Sequence, residues 1–163
     1  MANLVYPVTG YDAVTPGNIP ADADVVFGYC DGDYAWKPED WARFATPYKI
    51  PVTVLGNLRA TVADCENGDM TPASVANWIV RKQAEHLPPA TVYCSLTMRP
   101  AVVDACRGEA YYWWAADWTN SPHHLPGSVA TQYEDDQNRY DLTAIYDEAW
   151  LEACAAAARR FFA

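Results

Sequence analysis

Apolar residues fall along the chain in short runs, each closed by a cluster of glycine, proline, asparagine or acidic residues. That punctuation predicts strands over residues 4–8, 24–29, 50–55, from 60, 91–96, 110–116, 128–133 and 140–145. Helical spacing accounts for what lies between some of them. Lys37-Pro38-Glu39-Asp40 opens a short helix through Phe44, with proline in its first turn and acids at its positive end. A longer helix runs from Thr71-Pro72 to about His86, presenting Val75, Ala76, Trp78 and Ile79 to the core and Arg81, Lys82 and Glu85 to water. A short helix is expected over residues 100–106. An alanine-rich one over 147–162 carries Arg159 and Arg160 near its negative end and is expected to close the molecule.

Strands alternating with helices, several of them short or missing, predict an irregular, trimmed α/β barrel of the TIM type in a single domain, residues 1–163. The chain has 163 residues, against roughly 250 for a complete eight-fold barrel, so elements must be lost. The expected loss lies between the strand over 50–55 and the one from 60. A parallel crossover needs about a dozen residues or more. The segment is therefore expected to be an antiparallel hairpin through Gly56-Asn57, or two pieces of one bent strand.

Composition narrows the partners. There are 21 acidic residues against 11 basic ones, a formal charge of −10, which argues against nucleic acid. No apolar run approaches the roughly 20 residues of a membrane span, and MANLVYPVTG lacks the regions of a signal peptide, so synthesis in a host cytoplasm without export is expected. Cys30, Cys65, Cys94, Cys106 and Cys154 are odd in number and widely spaced, which predicts free thiols. No nucleotide fingerprint or phosphate-cradling loop occurs, and neither cofactor nor metal is expected. His123-His124 have no ligand partner at zinc spacing and read as a solvated loop.

Chemistry concentrates in ATVADCENGDMTP, residues 60–72. Along a strand Asp64 and Glu66 face one way and Cys65 the other. Two carboxyls in one small volume repel, so one holds its proton while the other stays ionised, the division that glycosidic cleavage needs. Taken alone, Asp-X-Glu also describes a solvated acidic turn. Asp12, Asp31 and Asp117 likewise follow strands, and loops after barrel strands gather at one face, where distant carboxylates can meet. The chain has 7 Trp and 11 Tyr. Tyr34, Trp36 and Trp118 fall at that rim, where rings can stack on sugars or simply fill the core.

These pieces together resemble the family-25 glycoside hydrolases, which are peptidoglycan muramidases, and their glycoside-hydrolase-like relatives in actinobacterial phages. The resemblance rests on GYDAVTP, GYCDGDYAW, VADCENGDMTP, TVYCS, YYWWAADW, GSVATQYEDD and YDLTAIYD in that order. It implies a flattened, irregular barrel. It implies Glu66 as general acid, Asp64 as acidic partner, and Asp12 and Asp117 as further site acids, with Asp141 near the closing strand. It implies substrate contacts from Asp31, Tyr34, Trp36, Trp114, Trp118 and Tyr133, with core packing the equal reading for Trp114. The activity implied is cleavage of the β-1,4 link after N-acetylmuramic acid in cell-wall glycan strands. The rival is a barrel without turnover, serving as a wall-binding or structural protein among other proteins of a phage virion.

Overall fold

Eight strands close into one barrel in sequence order: β1 (Val8–Asp12), β2 (Val25–Tyr29), β3 (Tyr48–Thr53), β4 (Val62–Asp64), β5 (Thr91–Ser95), β6 (Tyr112–Ala116), β7 (Ala130–Asp135) and β8 (Asp141–Ile145). The structure, a computed structural model, describes residues 4–163; the first three residues of the leader reading lie outside that range. Neighbours from β1 to β7 are parallel. β8 alone runs the other way, antiparallel to both β7 and β1, and makes the closing seam. This is the trimmed α/β barrel that the sequence predicts.

Four helices flank it: α1 (Pro38–Trp41), α2 (Pro72–Ala84), α3 (Arg99–Ala105) and α4 (Glu148–Phe162). α2 starts on a capping box between Thr71 and Ser74, and α4 on Asp147, whose carboxylate accepts from the Trp150 backbone N–H.

Strand alternation builds the layers. Val25 and Phe27 of β2, Ile50 and Val52 of β3, and Trp114 of β6 point into the barrel, while Val26 packs outward against the α1 layer, and Val92 and Trp113 against the layer of α2 and α3. Two glycines permit close approach. A Cβ on Gly10 would stand 2.4 Å from the Phe27 ring inside the barrel, and one on Gly28 would stand 2.5 Å from the Trp36 ring outside it. Pairing with β2 and β8 thus draws Gly10 into β1, which lies later than the expected residues 4–8.

The segment between β3 and β4 is neither expected alternative. β3 and β4 are parallel neighbours, Val52 opposite Val62, joined by a loop with no helix. Such a loop exposes carbonyls that a crossover helix would have satisfied. α2 supplies the partners: Lys82 Nζ donates to Leu58 O at 3.0 Å and Ala60 O at 2.6 Å, and Trp78 Nε1 to Asn57 O at 3.0 Å. Lys82 therefore does not face water as its helical position suggests; it is 2 % exposed. Burial pushes its ammonium down to about 8 from 10.5.

Lys82→Met is expected to cost about 1–3 kcal/mol, since two carbonyls lose their donor. Between pH 8 and 10.5 the folded chain holds fewer protons at this amine than the unfolded chain, so its contribution grows as pH rises through that window. Urea unfolding of wild type and variant at pH 7 and pH 10 checks both, the gap being wider at pH 10.

α4 seals the end of the barrel where the parallel strands begin. Trp150, Leu151 and Cys154 enter the interior core, Trp150 Nε1 donates to Thr91 Oγ1 at 2.8 Å, and Tyr48 OH donates to Glu152 Oε1 at 2.6 Å. Tyr48 and Thr91 are the first residues of β3 and β5. All five cysteines are free, four of them buried.

Candidate active site

With one end plugged by α4, chemistry is left to the other. Asp12, Tyr29 and Asp64 are the last residues of β1, β2 and β4. Asp141 joins them because β8 is reversed: its first residue sits opposite Asp12 across the seam. After β4 the chain turns tightly, with Met70 N–H donating to Asp64 O and Asp69 N–H to Glu66 O. Glu66 is thereby set beside Asp64, while Cys65 is buried in the layer against α2.

The four carboxyls Asp12, Asp64, Glu66 and Asp141 line one cavity of about 100 Å³. Its walls also carry Tyr29, Tyr93 and Gln132 as polar groups, and Phe27, Val52, Trp114 and Trp118 as apolar ones. A shallower hollow of about 290 Å³ shares Asp12, Tyr29 and Asp141 with it and extends the cleft towards the β7–β8 hairpin. Two polar atoms of the wall, Asp64 Oδ1 and the Trp114 indole N–H, are buried without a partner in the protein. Unpaired buried donors and acceptors are costly and uncommon, and here both belong to residues of the cavity wall.

Crowding of like charges out of water holds protons in this cluster. Burial, then Asp141, raises Asp12 well above the carboxylate range, although Gln132 opposes this by donating to Asp12 Oδ1 at 2.9 Å. Burial, then Glu66, pushes Asp64 up to about 8. Burial, then Asp135, pushes Asp141 up to about 6. Glu66 is raised by burial and by Asp69, and lowered by a hydrogen bond from Tyr93. At neutral pH the cluster therefore keeps at least one carboxylic acid beside carboxylates, the condition for general acid catalysis.

Asp64, Glu66 and Asp69 each bring one oxygen within 4.8 Å of the others, which could hold a cation. Sequence spacing gave no sign of that trio as ligands, since Asp69 comes back to it through the turn.

Several rim assignments move. Asp31 lies outside the cavity and serves the end of β3, accepting from Thr53 Oγ1 and from Val54 N–H at 2.7 Å. Tyr34 is exposed away from the cavity. Trp36 is buried in the outer layer, stacked with Phe44, tilted against Trp41 and donating to Ala13 O. Tyr133 is the extra residue of a β-bulge between Gln132 and Glu134 and is buried outside the cavity lining. Asp117 also lies outside the lining: His123 Nε2 pairs with its Oδ2 at 2.9 Å. That pair ties down the loop beside Trp118, whose half-exposed ring does line the cavity. His123 is thus engaged with Asp117, and His124 bonds Ser128 O and stacks on Tyr146, so the loop is more ordered than a solvated one. Trp114 is both core and wall, packed against Phe27 and Tyr93.

Sequence reasoning passed over Gln132, Tyr93 and Tyr29. Inward parity along ATQYED and TVYCS would have found the first two, with Gln132 rather than Tyr133 facing the interior.

Neither a family model nor a curated protein matches the sequence. Among solved structures, the chain is similar to a muramidase from Acremonium alcalophilum at 14% identity and a TM-score of 0.55, covering 91% of this chain and 98% of that one. It is also similar to the catalytic domain of an endolysin from a bacteriophage of Listeria monocytogenes at 10% identity and a TM-score of 0.57, covering 95% of this chain and 99% of that one. The likeness is one of fold: the chain has a muramidase-like barrel.

Proposed function

We propose that this protein is a peptidoglycan glycoside hydrolase of the muramidase type. The observation that carries the reading is the meeting of four carboxyls from β1, the β4 turn and β8 in one partly apolar cavity, with raised proton affinity throughout. Its support from outside the chain is that two proteins with this fold bear the names muramidase and endolysin. The glycan lies across the mouth, with one sugar against Trp118 and the scissile oxygen at Glu66. Glu66 protonates the leaving oxygen, and ionised neighbours offset the positive charge that develops on the sugar ring. Asp64 and Glu66 each bring one oxygen within 4.8 Å of the other, so the acid and a second carboxyl reach the same bond. On this reading the protein acts at the bacterial wall, carried by a phage as a free lytic enzyme or within a virion.

The test identifies the bond. Purified peptidoglycan is digested, the new reducing ends are reduced with borohydride, and the reduced amino sugars are identified by mass spectrometry. Reduced N-acetylmuramic acid is the expected product. Reduced N-acetylglucosamine would move the cut to the other linkage, and retention on the wall with no new ends would favour binding without turnover.

A further inference from the structure

Trp118 is the most exposed residue of the cavity wall, so packing alone does little to set its ring. It lies in a turn whose ends are fastened to β7, Asp117 N–H donating to Gln132 O at 2.9 Å and Asn120 N–H to Tyr133 O at 2.8 Å. Between those ends, the residues on either side of Trp118 are both gripped by one imidazole. His123 Nε2 lies 2.9 Å from Asp117 Oδ2, while its Nδ1 lies 3.0 Å from Thr119 Oγ1 and 2.9 Å from Ser121 O. The chemistry of these partners fixes the charge on the ring. The Asp117 carboxylate and the Ser121 carbonyl can only accept. The Thr119 hydroxyl donates to Ser121 O at 3.0 Å, which leaves a lone pair towards Nδ1. Only an imidazolium, with N–H on both nitrogens, satisfies every partner at once. A neutral ring must turn a lone pair towards either the carboxylate or the carbonyl.

We propose that protonated His123 is a positioning residue: bonded to Asp117 and Thr119, it holds Trp118 at the cavity mouth as a platform for a sugar ring, and it frees that ring on losing its proton. Charge-assisted bonds on both sides of the indole make the turn stiff, and a stiff platform loses less freedom when a sugar lies on it. Asp117, expected from the sequence to be a site acid, acts here through the ring beside it. The platform rests on the hydrolase reading of the cleft; the clamp itself does not.

Among the described residues, Asp117 is the charged group that faces the His123 ring; Thr119 and Ser121 do not titrate, and His124 is engaged elsewhere, on Ser128 O and the Tyr146 ring. The Ser121 carbonyl and then Asp117 raise His123 above its ordinary 6.5, with burial opposing them. The folded chain therefore keeps this proton to higher pH than the unfolded one. The clamp is complete below pH 6.5 and is lost as pH rises through the raised value. The carboxyl cluster supplies the proton for bond cleavage and so governs kcat, whereas the clamp acts on sugar binding and so on KM.

Wild-type protein without substrate gives the first test. Followed by NMR from pH 5 to pH 9, the Trp118 indole N–H resonance, identified by its loss in Trp118→Phe, should shift with the same midpoint as the His123 ring nitrogens. In His123→Gln, whose amide does not titrate, that transition should vanish. An indole that ignores the His123 midpoint, or a transition that survives in His123→Gln, overturns the clamp. The second test uses solubilised peptidoglycan strands. From pH 5.5 to pH 8 the wild-type KM should rise about threefold, while His123→Gln should hold the high value throughout with kcat within about twofold of wild type. In a Trp118→Ala background the same substitution should move KM by less than about 1.5-fold, because its effect passes through that ring. Losses that fall on kcat alone, or are equal with and without Trp118, overturn the proposal. No turnover of these strands sinks the hydrolase reading and leaves the indole titration to decide the clamp. That titration on wild type stands even if His123→Gln does not fold.

Discussion

Glu66→Gln is expected to lower hydrolysis of purified cell walls by about a thousandfold while leaving the melting temperature within a few degrees of wild type. The argument is one of position. Glu66 lies two residues beyond β4, opens the tight turn closed by the Asp69 N–H, is only half-buried, and lines the cavity. Replacing its carboxyl by an amide keeps the shape and removes the transferable proton. Turbidity loss of a wall suspension, followed from pH 4 to pH 8, is the measurement. Wild-type activity should fall on the alkaline side as the cluster loses its last proton, since every carboxyl in it is raised rather than depressed. Undiminished activity in Glu66→Gln would remove this residue as the acid.

Asp64→Asn should separate stability from activity. Asp64 is 2 % exposed, one of its oxygens has no partner, and its carboxyl is raised to about 8 from an ordinary value of 3.8. In that window the folded chain holds more protons at this group than the unfolded chain, so stability drains away as pH rises from about 4 to about 8. An asparagine never ionises and escapes the loss. The variant should be the more stable protein at pH 8, by about 2 kcal/mol or roughly 4–8 °C in melting temperature, and nearly equal to wild type at pH 4. Its activity should be severely reduced. Calorimetry at the two pH values decides: a variant that melts lower at pH 8 would mean that Asp64 is held ionised by something the geometry does not contain.

The barrel of alternating strands and helices and the cluster of Asp12, Asp64 and Glu66 were legible because each rests on local pattern. Alternation assigns faces, and carboxylates after strands of a barrel have only one rim to reach. What stayed hidden depends on partners distant along the chain. The β3–β4 loop spans a parallel step only because Lys82 and Trp78, on a helix that comes later, satisfy its carbonyls. Trp36 and Asp31 lie after β2 as a rim residue should, yet one is drawn to the outer layer by the bare face of Gly28, and the other is taken up by the backbone after β3. Gln132 was there to be found by alternation from Ala130, but Tyr133 beside it, the extra residue of the bulge, drew the assignment instead. Asp141 enters the site from the start of its strand, which no rule about strand ends would select.

The reversed seam has a consequence for how such a molecule can diversify. The parallel strands reach the mouth through segments that must also travel back along the barrel, so lengthening any of them disturbs the packing of an outer layer. The β7–β8 hairpin carries no such duty. It rises beside the opening, borders the shallower hollow, and returns directly to the wall. Residues added at its tip would alter one bank of the channel and leave the rest of the scaffold untouched, making it the natural place for variation in which polymer is admitted, and an accessible point at which to graft a new specificity.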